Sequence, residues 1–246
     1  MPPAIPRNLK DSFTSVDNYI CDSLVPQDEG LISALKANAA ADLDEIDVAP
    51  NQGKLLHLLA KMNNVKRYLE VGTLGGYSAI WVAKALPADG KIITLEIDPM
   101  HATVATSNFA TAGFSKTIEV KVGPALESLA KMDEEGVEEP FDMVFIDADK
   151  QNNLGYFRYA LKFARKGTLI IVDNVVRQGR VADWENLDPA VTGVTILAFL
   201  SMPYSLSGLI SLSIAGEVVQ VYLLNSSEFL KIWSQGVGIR ILVETR

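Results

Sequence analysis

The sequence predicts an α/β fold of the doubly wound type, in which a mostly parallel sheet is covered by helices on both faces. Two observations predict it: short β-branched runs alternate with helical stretches from Arg67 to Asp173, and an acid stands at the end of four of those runs. Consecutive parallel strands need a crossover, usually a helix, so this alternation indicates a parallel sheet. Ligands of such sheets bind beyond the carboxyl ends of the strands.

The elements are expected in the following order. Two helices, Asn8–Ser23 and Glu29–Ala41, precede the amphipathic helix Gln52–Met62, whose buried side should carry Leu55, Leu56, Leu58 and Leu59. The strands are expected at Arg67–Val71, Lys91–Glu96, Ile118–Val122, Met143–Asp147 and Thr168–Asp173, with helices between them at Ser78–Leu86, Pro99–Ala112, Ala125–Met132 and Leu154–Phe163. An antiparallel pair should close the sheet, Leu209–Ala215 and Val218–Leu224, joined through Gly216-Glu217.

The composition is that of one α/β domain of 246 residues, 48% hydrophobic and 21% charged. We divide it into N-terminal helices (1–62), a sheet core (66–224) and a tail (225–246). The net charge of −8 disfavours nucleic acid, which needs a basic face. A single cysteine, Cys21, predicts a reducing, cytoplasmic location. The charge-free stretch Pro189–Gly216 invites a membrane interpretation, but Pro203, its glycines and its hydroxyl residues leave no clean apolar run of about 20 residues.

A glycine-rich turn, Gly72-Thr-Leu-Gly75-Gly76, follows the first strand and opens a helix. Glycines let a ligand approach the backbone, and the helix start directs free N–H groups toward it. Glu96 ends the second strand, twenty residues beyond Gly76, where an acid can bind ribose hydroxyls. The Gly-x-Gly-x-x-Gly fingerprint is absent and Glu70 would repel a pyrophosphate, which favours a nucleoside-type ligand such as S-adenosylmethionine. An NAD-type ligand and a purely structural turn remain open.

Hard oxygen donors stand at the ends of the fourth and fifth strands. Asp147 ends one, and Asp173-Asn174 ends the other. Adjacent strand ends lie about 5 Å apart, so these side chains can converge on Mg²⁺ or Ca²⁺. Asp173-Asn174 can equally cap a turn, and the residues alone leave both interpretations open.

Five motifs together resemble the cation-dependent O-methyltransferases, the family of caffeoyl-CoA and catechol O-methyltransferases. They are Glu70–Ser78, Glu96-Ile-Asp98, Gly123-Pro-Ala125, Asp147–Lys150 and Asp173-Asn174, and the resemblance runs from about Val48 to Gln178. It implies a Rossmann-like methyltransferase sheet and favours the metal interpretation over the turn cap.

The resemblance also implies a role for each matching residue. The S-adenosylmethionine contacts would be Val48, Glu70, Gly72, Ser78, Glu96, Ala125 and Asp149. Asp147, Asp173 and Asn174 would bind the divalent cation, Mg²⁺ or Ca²⁺. Lys150, as the general base, and Asp147 would be the catalytic pair, and Gln178 would contact the acceptor together with them.

The expected function is therefore S-adenosylmethionine-dependent and cation-dependent O-methylation of a catechol-like small molecule, by an enzyme acting as a homodimer without nucleic-acid or membrane partners. Lys150 would take a proton from a phenol whose pKa, otherwise about 10, the cation lowers. Beyond Thr195 the family pattern breaks, because the usual charged helix and Asp-Gly hairpin are missing. A protein of the same fold that binds S-adenosylmethionine with lost or impaired turnover is the alternative, and an NAD-type oxidoreductase is a third hypothesis.

Overall fold

A computed structural model describes residues 9–183, 185–201, 206–214 and 217–224. Its helices are α1 (Leu9–Leu24), α2 (Glu29–Ala40), α3 (Pro50–Met62), α4 (Tyr77–Ala83), α5 (Pro99–Thr111), α6 (Ala125–Glu135), α7 (Asn153–Lys162) and α8 (Pro189–Ser201). Its strands are β1 (Arg67–Val71), β2 (Lys91–Glu96), β3 (Ile118–Val122), β4 (Phe141–Ile146), β5 (Ala164–Val172), β6 (Leu206–Ile214) and β7 (Glu217–Leu224). Two 3₁₀ segments, Lys150–Asn152 and Arg177–Ala182, follow β4 and β5.

The described strands form one sheet in the order β3-β2-β1-β4-β5-β7-β6. Strands β1 to β5 are parallel, and β7 is antiparallel to both β5 and β6. The predicted α/β fold with an antiparallel end is confirmed. The chain moves outward from β1 to β3 and then returns to β4 on the other side of β1. This reversal opens a crevice between the ends of β1 and β4, where doubly wound sheets bind ligands.

The two faces of the sheet bury different sets of strand residues because successive side chains point to opposite sides. On β4, Met143 and Phe145 pack in one core, and Val144 and Ile146 pack in the other. The first core also includes residues of α2, α3 and α4, and the second includes residues of α6 and α7. Every residue of β4 is buried, as expected for a central parallel strand covered on both faces.

Several predicted boundaries differ from those observed. Strands β4 and β5 begin earlier than expected and end one residue earlier, so that Asp147 and Asp173 are the first residues after their strands. Helix α4 ends at Ala83 and not at Leu86. In α3, Leu58 is 44% exposed, contrary to expectation, and the buried positions are Gln52, Gly53, Leu56 and Ala60.

The charge-free stretch begins with α8, which is packed against α7 and the Lys150–Asn152 segment. It continues into β6. Across the ranges that the structure describes, no helix is long and apolar enough to cross a membrane. Part of the predicted final hairpin, Ala215 and Gly216, and the whole tail 225–246 lie outside the described residues.

Candidate active site

The ends of four neighbouring strands are aligned at one edge of the sheet. The N–H of Asp147 donates to the Val71 carbonyl at 2.8 Å, and the N–H of Asp173 donates to the Ile146 carbonyl at 3.0 Å. On the other side of β1, the N–H of Gly72 donates to the Leu95 carbonyl at 3.0 Å. These bonds continue the parallel ladder one residue past the strands. Glu96, Gly72, Asp147 and Asp173 therefore form a row across the sheet.

A cleft of about 1020 Å³ lies over this row. Its walls combine the strand ends with the segment 45–49, the start of α3, and the 3₁₀ segments after β4 and β5. The structure brings most of the predicted site residues to this one cleft: Val48, Gly72, Ser78, Glu96, Ala125, Asp147, Asp149, Lys150, Asp173 and Asn174. Glu70 is buried beneath it, and Gln178 is exposed beside it.

The glycine turn after β1 has a conformation and a neighbouring strand end that require glycine at position 72. Gly72 has φ of 101°, in the left-handed region, and a Cβ there would stand 2.3 Å from the Asp147 carbonyl oxygen. Glu96 fixes the turn, because its Oε2 accepts hydrogen bonds from the N–H groups of Thr73 (3.1 Å) and Leu74 (2.8 Å). Glu96 is thus held in the cleft wall at the position predicted to meet ribose hydroxyls.

Glu70 is a fully buried carboxyl group held by three hydroxyls. Its Oε1 accepts from Ser78 (2.7 Å) and Tyr68 (3.2 Å), and its Oε2 accepts from Thr94 (2.7 Å). Burial raises the pKa of Glu70 to about 7, although these three hydrogen bonds lower it. Ser78 lines the cleft and so connects Glu70 to the site.

The predicted catalytic pair is in direct contact. Lys150 Nζ lies 2.7 Å from Asp147 Oδ1, and Lys150 is only 8% exposed. The next acid along, Asp149, accepts hydrogen bonds from Tyr156 and, at 2.6 Å, from Asn152. Burial raises the pKa of Tyr156, and the Asp149 carboxylate raises it further, so this phenol stays a donor. The loop after β4 therefore places Asp147 beside a lysine side chain and Asp149 beside two neutral hydrogen-bond donors.

Asp173 is almost fully buried and is held from two sides. Its Oδ2 accepts from Gln52 Nε2 at 2.5 Å, and its Oδ1 accepts from the Asn174 N–H at 2.6 Å. Burial raises the pKa of Asp173 to about 6; the Asp147 carboxylate contributes in the same direction, and both hydrogen bonds oppose it. Among the residues described, no group of three or more His, Cys, Asp or Glu side chains is placed to hold a metal ion. The predicted set has two such residues, and its third member is the amide Asn174.

Gln52 and Arg177 are among the residues of the cleft that sequence reasoning missed. Gln52 is a buried polar residue on the inner side of an amphipathic helix, and that position was the signal available in the sequence. Arg177 carried no such signal, because Arg177 and Gln178 are both polar neighbours in one loop. The backbone decides between them: both residues have left-handed φ angles, 49° and 57°, and only Arg177 lines the cleft.

Comparison with known proteins identifies the family to which this architecture belongs. A family model described as O-methyltransferase matches residues 23–201. The chain is 49% identical over 181 residues to a catechol O-methyltransferase of Niastella koreensis, covering 74% of this chain and 81% of that protein. It is 46% identical over 166 residues to a catechol O-methyltransferase of Mycobacterium tuberculosis, covering 68% and 74%.

Two solved structures show the same relationship. The O-methyltransferase of Bacillus cereus, in complex with SAH, superposes with a TM-score of 0.80 at 42% identity, covering 87% of this chain and all of that one. TomG of Streptomyces achromogenes, in complex with SAM, has a TM-score of 0.80 at 38% identity, covering 89% of this chain and all of that one. The predicted resemblance is confirmed: the chain belongs to the O-methyltransferase family, and it is an S-adenosylmethionine-dependent O-methyltransferase.

Proposed function

We propose that this enzyme uses a divalent cation to methylate one hydroxyl of a catechol-like small molecule. The observation that carries the proposal is the row of strand ends, in which two carboxylates and a buried lysine adjoin the glycine turn. The relatives named catechol O-methyltransferase, at 49% and 46% identity, support a vicinal diol on an aromatic ring as the acceptor.

S-adenosylmethionine would bind along the β1 and β2 side of the cleft. The carboxylate of Glu96 suits its ribose, and Gly72, Ser78 and Ala125 line the same cleft. Val48 and Asp149 complete the contacts that we propose from the predicted set, with Glu70 supporting Ser78 from below. The acidic walls suit a ligand with a sulfonium and an ammonium group.

The cation would be held by Asp147, Asp173 and Asn174, and the residues present fit it. All three offer oxygen, and the two carboxylates lie close enough that Asp147 contributes to the raised pKa of Asp173. Mg²⁺ or Ca²⁺ suits such donors better than zinc, since no histidine or cysteine belongs to the set. When bound, the ion would lower the pKa of an acceptor phenol.

Lys150 would take the proton of the acceptor hydroxyl. Its amine is buried next to Asp147, within reach of an acceptor held at that carboxylate. In its neutral form this amine could accept the proton, and its contact with Asp147 would hold it beside the acceptor. The acceptor oxygen would then attack the methyl group of S-adenosylmethionine while the bond from that methyl to the sulfonium sulfur breaks, so that S-adenosylhomocysteine leaves. Positioning of the two reactants should supply much of the acceleration.

Methyl transfer from labelled S-adenosylmethionine to a panel of catechols, with Mg²⁺ or with excess chelator, tests the proposal. We expect activity that chelator abolishes, and Asp147→Ala and Asp173→Ala should each abolish it while the protein stays folded by circular dichroism. Full activity in chelator would refute cation dependence. Tight binding of S-adenosylmethionine without transfer to any catechol would instead favour the alternative, a binding protein that has lost turnover.

The assembly and location of the enzyme belong to the same proposal. The proposal includes a single methyltransferase domain and a cytoplasmic location, and the single cysteine of the chain supports the location. A homodimer is supported by the apolar side chains that α1 exposes, Val16, Tyr19 and Leu24. Burying such side chains against a second copy would remove apolar surface from water. Size-exclusion chromatography with light scattering measures the mass of the protein directly. A monomer at micromolar concentration would contradict the homodimer.

A further inference from the structure

Arg177 is a cation on the wall of the cleft that has no anionic partner among the described residues. It begins the 3₁₀ segment after β5, three residues beyond Asn174, and both residues line the cleft. No ion pair or hydrogen bond joins its guanidinium to a residue that the structure describes, and its Nε is buried without an acceptor. Buried donors are normally paired, so this nitrogen is placed to donate to a bound ligand.

The surroundings make the lack of a partner informative. The cleft walls contain six carboxylates: Glu45, Asp47, Glu96, Asp147, Asp149 and Asp173. Lys150, the lysine of the cleft, pairs with one of them at 2.7 Å. Arg180, in the same 3₁₀ segment as Arg177, pairs with Asp188 at 2.7 Å. Arg177 is thus kept apart from carboxylates in a region rich in them.

The segment after β5 is built so that Arg177 faces the cleft. Asn174, Arg177 and Gln178 all have left-handed φ angles, between 49° and 57°, which residues other than glycine rarely adopt. Such conformations persist where the surrounding structure determines them. Here the Gly179 N–H donates to the Val176 carbonyl at 3.0 Å, and Arg180 Nε donates to the Arg177 carbonyl at 3.3 Å. These bonds close the turn and leave Gln178 exposed.

We infer that Arg177 binds a carboxylate substituent on the acceptor, so that the substrates of this enzyme are acidic catechols such as dihydroxybenzoates. The inference rests on the proposed function. A guanidinium presents parallel N–H groups that match the two oxygens of a carboxylate. Arg177 follows β5, as Asp173 and Asn174 do, whereas Gly72 follows β1 and Glu96 ends β2, on the other side of β4. The group it meets therefore belongs to the acceptor and not to the cofactor.

Two matched substrates test this: a vicinal dihydroxybenzoate and the corresponding dihydroxybenzyl alcohol, which lacks the charge. We expect Arg177→Gln to lower kcat/KM for the acid about 10- to 100-fold, the value of a charged hydrogen bond, and to change it for the alcohol less than about twofold. Comparing each variant with wild type on the same substrate removes the difference in phenol acidity. Arg177→Lys, which keeps the charge but not the fork, should restore part of the loss.

Arg158→Gln is the control, because this arginine is exposed on α7 and does not line the cleft. Arg158→Gln should leave kcat/KM unchanged for both the acid and the alcohol. Equal losses on acid and alcohol would overturn the inference, and so would a fall in SAH affinity in Arg177→Gln that accounts for the loss on the acid.

Calorimetric binding of the acid to SAH-loaded protein separates this inference from the proposed function. If wild type binds the acid, Arg177→Gln does not, and no methyl is transferred, then the proposed function fails and the role of Arg177 stands. If wild type methylates both catechols and Arg177→Gln does so equally well, the role of Arg177 fails and the proposed function stands.

Discussion

Replacing the buried Glu70 by glutamine should change how the stability of the protein depends on pH. The pKa of Glu70 is about 7 in the folded protein, against an ordinary value of 4.5, chiefly because burial disfavours its charged form. The folded state therefore holds this proton more tightly than the unfolded state. Stability from the protonated group is fully present below pH 4.5 and is lost as the pH rises through about 7.

The size of the effect follows from the same two values. Raising the pKa from 4.5 to about 7 corresponds to about 3 kcal/mol of unfolding free energy, of which about 2.5 kcal/mol should be lost between about pH 5 and about pH 8. Glutamine preserves the shape and the acceptor oxygen for Ser78 and Tyr68, and its amide can donate to the Thr94 hydroxyl. That hydroxyl can in turn donate to Thr73, 2.6 Å away.

Urea unfolding of the cofactor-free protein, followed by tryptophan fluorescence, measures the free energy of unfolding at about pH 5 and at about pH 8. Because other buried acids also titrate, the test is the difference between Glu70→Gln and wild type at each pH. Glu70→Gln should gain about 2 to 3 kcal/mol relative to wild type on going from the lower to the higher pH. Parallel pH profiles for the two proteins would refute a buried, proton-holding Glu70.

Three further predictions concern the cleft. Gly72→Ala should cost about 2 to 4 kcal/mol of stability, from left-handed strain and from overlap with the Asp147 carbonyl, as measured by urea unfolding. Gln52→Leu should weaken Mg²⁺ binding to SAH-loaded protein about 10- to 100-fold by calorimetry, because Asp173 loses the hydrogen bond that orients it. Lys150→Ala should lower kcat on ordinary catechols about 10²- to 10⁴-fold, with a smaller loss on an already ionised nitrocatechol.

The first two of these predictions have a matched control variant in the chain, and the third has its control in the choice of catechol. Gly167 has φ of 92° with open space around it, so Gly167→Ala carries the strain alone and should cost less than Gly72→Ala. Asn51 is the neighbouring amide on α3 but bonds to Asp17, so Asn51→Ala should leave Mg²⁺ affinity unchanged. Equal costs at the two glycines, equal Mg²⁺ losses at the two amides, or equal Lys150→Ala losses on acidic and ordinary catechols would contradict the respective explanations.

The sequence by itself determined the order of the strands and the edge of the sheet at which the acidic residues gather. Strands β2 and β3 have the predicted bounds, Lys91–Glu96 and Ile118–Val122, because runs of β-branched residues are bounded by turns and cap signals such as Asp98-Pro99. The parallel arrangement followed from the alternation with helices, and it brings the ends of β4 and β5 together. Local pattern suffices for these features, since each depends on neighbours in the chain.

Tertiary structure decided the features that depend on contacts between distant segments. Gln52 reaches Asp173 across 121 residues, and no local pattern encodes that pairing. The exposed position of Leu58 has the same origin. The Trp81 ring packs so closely on Gly53 that a Cβ added there would stand 2.3 Å from the Cδ1 atom of the ring. This packing fixes which side of α3 faces the core and leaves Leu58 on the outer side.

The choice between Arg177 and Gln178 shows the physical reason most clearly. Sequence places both in one polar loop after β5, and the resemblance assigned the acceptor contact to Gln178. The loop's φ angles and its hydrogen bonds within the turn put Arg177 on the cleft wall and Gln178 at the surface. Residue type determined which groups were available for chemistry, and the backbone conformation of a few residues determined which of them line the cleft.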